Sequence, residues 1–403
     1  MLKTRLCELF GIELPILSAG MGTIALAELA AAVSEAGGLG TVALVMLGAE
    51  DLQNEIAAAR RRTAKPLAAN LIVPFIRPGI VEAVVRTPIQ ALTFFWGDAR
   101  EHADEIRLAQ RAAIRVIWQC GSVDEAGWAK DAGCDAVMAQ GFEAGGHVRG
   151  ETISLVLIAE VRDAIGDMPL IAAGGFADGR GLAAALALGA DGAVFGTRFL
   201  ASREAAALST YKDRIVTANA RDTLHTTLFD IGWPDAPHRV LRTPLVERWE
   251  RAGRPSSGAR PGEGDIQAHP TRSDLREAMV NYSVMPPSSA YVESGEEGLA
   301  QYAAIVQSRS RHCPRGRDRA SDRARSTERD QRAAGAACTL VSAGRLRREF
   351  VPELLHHLGE VSGVALLGPG LLGAHLEPAE LDGIGLVAHL ARRDFDYRSL
   401  LGG

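Results

Sequence analysis

Cysteine is scarce in this chain and never occurs in a metal-binding spacing. Five cysteines are scattered over 403 residues (Cys7, Cys120, Cys134, Cys313 and Cys338), with no Cys-x-x-Cys pair. That leaves neither a zinc site nor a disulfide framework, and it fits a reducing compartment. No run of 18 apolar residues occurs, so no membrane-spanning helix is expected. The opening MLKTRLCELFGIELP carries Glu8 and Glu13 inside its apolar stretch, unlike a secretory leader. A cytoplasmic location follows by elimination. Gly-x-Ser-x-Gly, Gly-x4-Gly-Lys-Ser/Thr and His-Glu-x-x-His are also missing, which removes the common hydrolase, NTPase and zinc-enzyme readings. His356 and His357 are adjacent, so they would not share a helix face around a metal. Nor is there an excess of positive charge. The 44 Lys and Arg face 49 Asp and Glu, a net −5, which argues against nucleic acid as a partner.

What the chain does have is an ordinary globular composition, 47% hydrophobic and 23% charged, with glycine abundant at 43 residues. Its first 200 residues alternate short apolar runs with Ala-rich amphipathic stretches. The runs predict strands at 15–18, 39–43, 67–73, 90–95, 114–119, 135–139, 169–173 and 192–195. Helices are expected between them at 26–36, 49–62, 99–112, 122–132, 153–165 and 179–188. Eight strands joined by helices point to parallel βα units and a (β/α)8 barrel, with a doubly wound open sheet as the alternative.

The rhythm breaks after the eighth strand. The expected organisation is a barrel over 1–204 and a lid or substrate subdomain with closing segments over 205–302. Within the latter, 233–272 is rich in Pro, Gly and Arg, and helices are expected at 244–252 and 273–280, followed by a turn at 285–289. From Arg309 to Arg332 there are nine Arg and four acidic residues, with almost no large apolar side chains. Segment 303–337 therefore reads as an unpacked linker or as sequence foreign to the fold. Residues 338–403 form an atypical, unassigned tail.

Three glycine clusters fall where barrel strands end: Gly20-Met21-Gly22 after the first, Gly174-Gly175 after the seventh and Gly196-Thr197 after the eighth. Loops after strands seven and eight of such barrels often bind phosphate through backbone N–H groups, which glycine leaves uncovered. Turns needing positive φ would use the same residues, but two clusters on consecutive strands favour phosphate. Asp178 is placed to cap the helix after Gly175. The most pointed stretch is Gln140-Gly141-Phe142-Glu143-Ala144-Gly145-Gly146-His147, at the end of the sixth strand. An imidazole on a glycine-rich loop at the catalytic face suits proton abstraction, so His147 is the candidate base. Glu143 reads as a carboxylate that orders the loop. Asn70 and Gln119 are amides within or at the end of apolar strands, and each needs either barrel backbone or a ligand as partner. Trp96, Trp118 and Trp128 read as core.

These stretches resemble the nitronate monooxygenase family, which also includes flavin-dependent enoyl reductases. The matching segments are PILSAGMG (15–22), AAVSEAGGLGTV (31–42), AANL (68–71), AQGFEAGGHVRG (139–150), 169–200 and APHRVLR (236–242). The resemblance implies a TIM barrel with a smaller α-rich lid and FMN at the barrel top. It implies that Asn70, Gln140, Gly145, Gly174, Gly175 and the segment Val194, Phe195, Gly196 and Thr197 hold FMN, with Met21 and Gly22 near the flavin ring. It makes His147 the base that takes an α-proton from a neutral nitroalkane, and O2 the oxidant that yields a carbonyl compound and nitrite. Two alternatives go with it: an FMN- and NADH-dependent enoyl-thioester reductase, and a flavin-binding protein inactivated by an altered C-terminus. The likeness stops after Tyr302. Residues 304–323, back-translated in a shifted frame, permit a family-like ending, which implies a frameshift at this point.

Overall fold

A computed structural model describes residues 3–270, 278–293 and 298–304. The expectations for 338–403, and for 303–337 beyond Ala304, lie outside the described residues, the frameshift among them. A short helix opens the chain: α1 (Arg5–Phe10), begun by the Thr4 hydroxyl accepting from the Cys7 N–H and ended by Gly11 at φ 67°.

The barrel strands follow as β1 (Ile16–Ser18), β2 (Gly40–Ala43), β3 (Leu67–Ile72), β4 (Ala91–Phe95), β5 (Arg115–Cys120) and β6 (Ala136–Gln140). A two-residue strand, β7 (Gly146–His147), precedes the last two, β8 (Leu170–Ala173) and β9 (Gly192–Phe195). The eight-stranded sheet runs β1-β9-β8-β6-β5-β4-β3-β2, with its strands paired in parallel. It closes between β1 and β2: Leu39 N–H donates to Ile16 O at 2.9 Å and Ser18 N–H to Leu39 O at 3.1 Å. Closure decides for the TIM barrel over the open sheet. All eight expected strands are present.

The intervening helices are α2 (Ala27–Glu35), α3 (Ala49–Arg60), α4 (Ile80–Val84), α5 (Ala103–Arg111), α6 (Val123–Asp131), α7 (Ser154–Ile165) and α8 (Gly179–Ala187). The period of two along each strand divides the core. Leu67, Ala69 and Leu71 of β3 face the helices, whereas Ala68 joins the bore. The bore is filled by Leu17, Leu39, Ile117, Met138, Ile171 and Val194, and α1 plugs its lower end with Leu6, Cys7 and Phe10.

After the short helix α9 (Thr197–Leu200) the chain leaves the barrel through α10 (Ser209–Thr217). The smaller region differs from the α-rich expectation. Among the described residues its helices are α10, a 3-10 turn (Ala220–Asp222) and α11 (Pro244–Arg251), together with β10 (Thr223–Thr226), β11 (His238–Leu241), β12 (Ile266–Pro270), β13 (Met279–Val280) and β14 (Tyr291–Glu293). These strands are too short to show a clear alternation, which is why the sequence pattern misses them. Part of the helix expected at 273–280 is strand β13, and 271–277 lie outside the described residues. One sheet, β10-β11-β7, is shared between the two regions and carries His147.

Candidate active site

The upper end of the bore opens into a cavity whose wall comes from nearly every βα loop. Its floor is a polar band of Thr41, Asn70, Thr93, Gln119 and Gln140. Of the candidate site residues, Met21, Gly22, Asn70, Gln140, Gly145, His147, Gly174, Gly175, Val194, Gly196 and Thr197 all line it. Phe195 does not. The alternation of β9 turns its side chain outward, where it is fully buried against the helices and meets Phe199. No lining residue among those described is Asp, Glu, Lys or Arg.

Asn70 is tucked beneath Gly20, and its amide donates only at long range, 3.4 Å to Thr93 O and 3.5 Å to Leu71 O. Gln140 donates from Nε2 to the His147 carbonyl at 3.0 Å, while its buried Oε1 has no partner. The loop above is ordered as expected: the Glu143 carboxylate accepts from Ser154 N–H at 2.9 Å. Asp178 caps α8 by accepting from Gly181 N–H at 3.2 Å.

The glycine cradle has a clear steric cause. Gly174 sits at φ 99°, where a side chain is strained, and a Cβ there would come within 2.9 Å of Gly141 O. A Cβ on Gly145 would lie 2.3 Å from Ala304 N. That near-collision shows how residues 300–304 cross the site as a strap. Leu241 N–H donates to Gln301 O at 2.7 Å, and Ala304 N–H donates to the Thr197 hydroxyl at 3.0 Å. Tyr302 lies within the strap and donates to Val284 O at 2.5 Å.

His147 stands in an aromatic enclosure. Trp233 stacks on its ring at 4.1 Å between centroids and 29° between planes. Trp96 meets it edge-on at 5.9 Å, Tyr302 lies at 5.4 Å and His238 at 5.3 Å. Burial holds the imidazole pKa well below 6.5, and His238 pushes the same way. It is therefore neutral at pH 7, the state a base requires. Its buried Nε2 has no hydrogen-bond partner, so a lone pair or proton at that atom is uncommitted.

Orphaned polar atoms beside an uncovered backbone cradle are what a bound planar heterocycle with a phosphate would satisfy. Residues 3–79 and 77–283 match the family model described as nitronate monooxygenase. The chain belongs to the nitronate monooxygenase family. It is 38% identical over 256 residues to a (3aS,4S,5R,7aS)-5-hydroxy-7a-methyl-1-oxo-octahydro-1H-indene-4-carboxyl-CoA dehydrogenase from Mycobacterium tuberculosis, covering 63% of this chain and 70% of that one. It is 30% identical over 319 residues to a probable nitronate monooxygenase from Staphylococcus aureus, covering 68% and 85%. Among solved structures, FabK from Thermotoga maritima aligns with 28% identity and a TM-score of 0.65, over 90% of this chain and all (100%) of that one. A nitroalkane oxidase from Streptomyces ansochromogenes aligns with 25% identity and a TM-score of 0.61, over 88% and 99%.

In this nitronate monooxygenase family member, sequence reasoning alone overlooked several residues of the enclosure. Trp96, expected in the core, instead faces His147 and Trp233, at φ 70°. Trp118 and Trp128 do lie away from the site, Trp118 stacked on Phe94 and Trp128 under the Arg100 guanidinium. Trp233, Tyr211 and Tyr302 all line the cavity. Trp233 stands between Gly232 and Pro234, a local signal that Tyr211 and Tyr302 lack. No helix among the described residues is long and apolar enough to cross a membrane.

Proposed function

We propose that this protein is an FMN-dependent oxidoreductase that uses O2 to convert alkyl nitronates, and nitroalkanes after deprotonation, to carbonyl compounds and nitrite. The observation that carries this reading is His147: a neutral, half-buried imidazole whose buried Nε2 is unpartnered, set in the wall of a cavity that pairs a glycine cradle with a polar floor. Gly174, Gly175, Gly196 and Thr197 would hold the phosphate, chiefly through backbone N–H groups, since no cation lines the cavity among the described residues. Asn70, Gln119 and Gln140 would meet the polar edge of the ring system, with Met21 and Gly22 beside it. When bound, the flavin supplies the electron transfer that no protein side chain here can perform.

The chain's own part is proton handling and exclusion of water. His147 Nε2 accepts the α-proton of a neutral nitroalkane, while a nitronate arrives without that proton and needs no base. Trp233, Phe75, Val284 and Met285 make an apolar mouth that keeps the site dry. Among the described residues Cys7, Cys120 and Cys134 are buried and none of the three is in a disulfide.

A second reading has a specific observation behind it, the 38% identity to a carboxyl-CoA dehydrogenase. Under that reading the same base serves a carbon acid activated by a thioester, with a nicotinamide as the redox partner. Oxygen uptake by the purified holoenzyme on adding an alkyl nitronate, without NADH, separates the two. Rapid uptake with nitrite release is the expected result. Uptake absent, with rapid NAD(P)H oxidation on adding an enoyl thioester, would overturn the first reading in favour of the second. Chromatography of the released cofactor distinguishes FMN from FAD.

A further inference from the structure

His238 is fully buried in β11, directly opposite His147 of β7 in the antiparallel register. Both of its ring nitrogens are engaged by one loop. Phe229 N–H donates to Nε2 at 3.2 Å, and Nδ1 lies 2.8 Å from Ala236 O. A backbone N–H can only donate, so Nε2 is bare; a carbonyl can only accept, so Nδ1 carries the proton. The ring is thus neutral and in one tautomer, and it ties the two ends of loop 227–237 together.

That loop carries Trp233, which stacks on the His147 ring. On its outer side the loop is already pinned: the buried Arg260 guanidinium donates to Leu228 O and Asp230 Oδ1, each at 2.7 Å, and Ile231 N–H donates to Tyr282 O at 3.2 Å. On its inner side, next to the base, His238 makes the corresponding ties. The groups facing His238 are His147 from β7, His225 from β10, Asp230 from the loop and Tyr302 from the strap.

We propose that His238 is a positioning residue for the reaction, closing loop 227–237 through both ring nitrogens so that Trp233 is held on His147 and fixes the orientation of the base. The inference rests on the proposed role of His147 as that base. The ring orientation of a base within an enclosure of aromatic faces is set by packing, so a small displacement of Trp233 is felt at Nε2.

The test has two parts. Nitrogen-15 NMR of histidine-labelled holoenzyme reads the tautomer in the unmodified protein. The expected result is a His238 ring protonated at Nδ1, bare at Nε2 and silent near the ordinary 6.5. A ring protonated at Nε2, or one titrating near 6.5, overturns the proposal. The second part is His238→Phe, which keeps a ring and removes both ties, against His238→Gln, which restores a donor and an acceptor. With the neutral nitroalkane, His238→Phe should lower kcat about tenfold with KM within about twofold, and His238→Gln should recover part of the loss. The fluorescence of Trp233, taken as the difference from the matching Trp233→Phe protein, should shift to the red in His238→Phe. Unchanged kcat and emission in a folded His238→Phe protein overturn the proposal. If the parent protein does not turn over nitroalkanes, the functional reading fails on its own, and the tautomer and Trp233 emission still decide this inference. If His238→Phe does not fold, the tautomer decides it.

Discussion

The two ends of the barrel bore are built from the same strands and by the same alternation, yet they differ completely in character. At the lower end Leu6, Cys7 and Phe10 of α1 close the bore over Leu17, Leu39, Ile117 and Ile171. Every one of these is buried and apolar. At the upper end, two strand residues beyond Leu39, Ala68, Ala91, Ile117 and Met138, the inward positions become Thr41, Asn70, Thr93, Gln119 and Gln140. Here buried polar atoms go unpartnered, Gln140 Oε1 and His147 Nε2 among them, and Trp96 holds a positive φ. Each such feature costs free energy. The lower end supplies stability and the upper end spends some of it on readiness to bind.

The largest expected effect lies at the upper end. His147→Ala should lower kcat/KM for neutral nitroalkanes by about 10²–10⁴-fold and leave nitronate turnover near the parent value, both measured by oxygen uptake. Equal loss on the two substrates would remove His147 from the role of base. At the lower end, Phe10→Ala should destabilise the fold by about 3–5 kcal/mol in denaturant titration, while the activity of the remaining folded protein is unchanged. Lost activity at full folding would blur the contrast between the ends.

Acid should act on the upper end first. His238 is fully buried, and burial lowers its pKa from 6.5 to about 4. The unfolded chain therefore binds the proton before the folded one does. Stability is at its full value above 6.5 and falls as pH drops through 6.5 toward about 4, by about 3 kcal/mol from this group alone. A His238→Gln protein should show a shallower decline of melting temperature across that window. An identical slope would exclude His238 as its source. The smallest effect expected is for Gln140→Met. It removes an orphaned acceptor together with one bond to His147 O, so stability should stay within about 1 kcal/mol of the parent, while flavin content of the purified protein, read by absorbance, falls. Full flavin retention would mean that the polar floor does not serve the cofactor.

Much of this was legible in the residues themselves. The eight strands were readable because each is a short apolar run bounded by turn residues. The cradle was readable because Gly174, Gly175 and Gly196 stand at strand ends, and His147 because it closes a glycine-rich loop. Phe195 shows where reading by segment reaches its resolution: its neighbours Val194 and Gly196 line the cavity, but the pleat turns this one side chain away. The small strands β7, β10 and β11 left no such trace, since two to four residues cannot establish a period.

The amino-acid order by itself thus determined the alternation, the turns and the placement of a histidine and a set of glycines at one end of a barrel, because those signals are local and repeat along the chain. Only the tertiary structure decided the surroundings of His147. Trp96, Trp233, His238 and Tyr302 reach His147 from four separate stretches of sequence. The neutrality of His147 and the tautomer of His238 come from burial and from partners across a loop. Those are properties of packing between distant segments, and no local pattern encodes them.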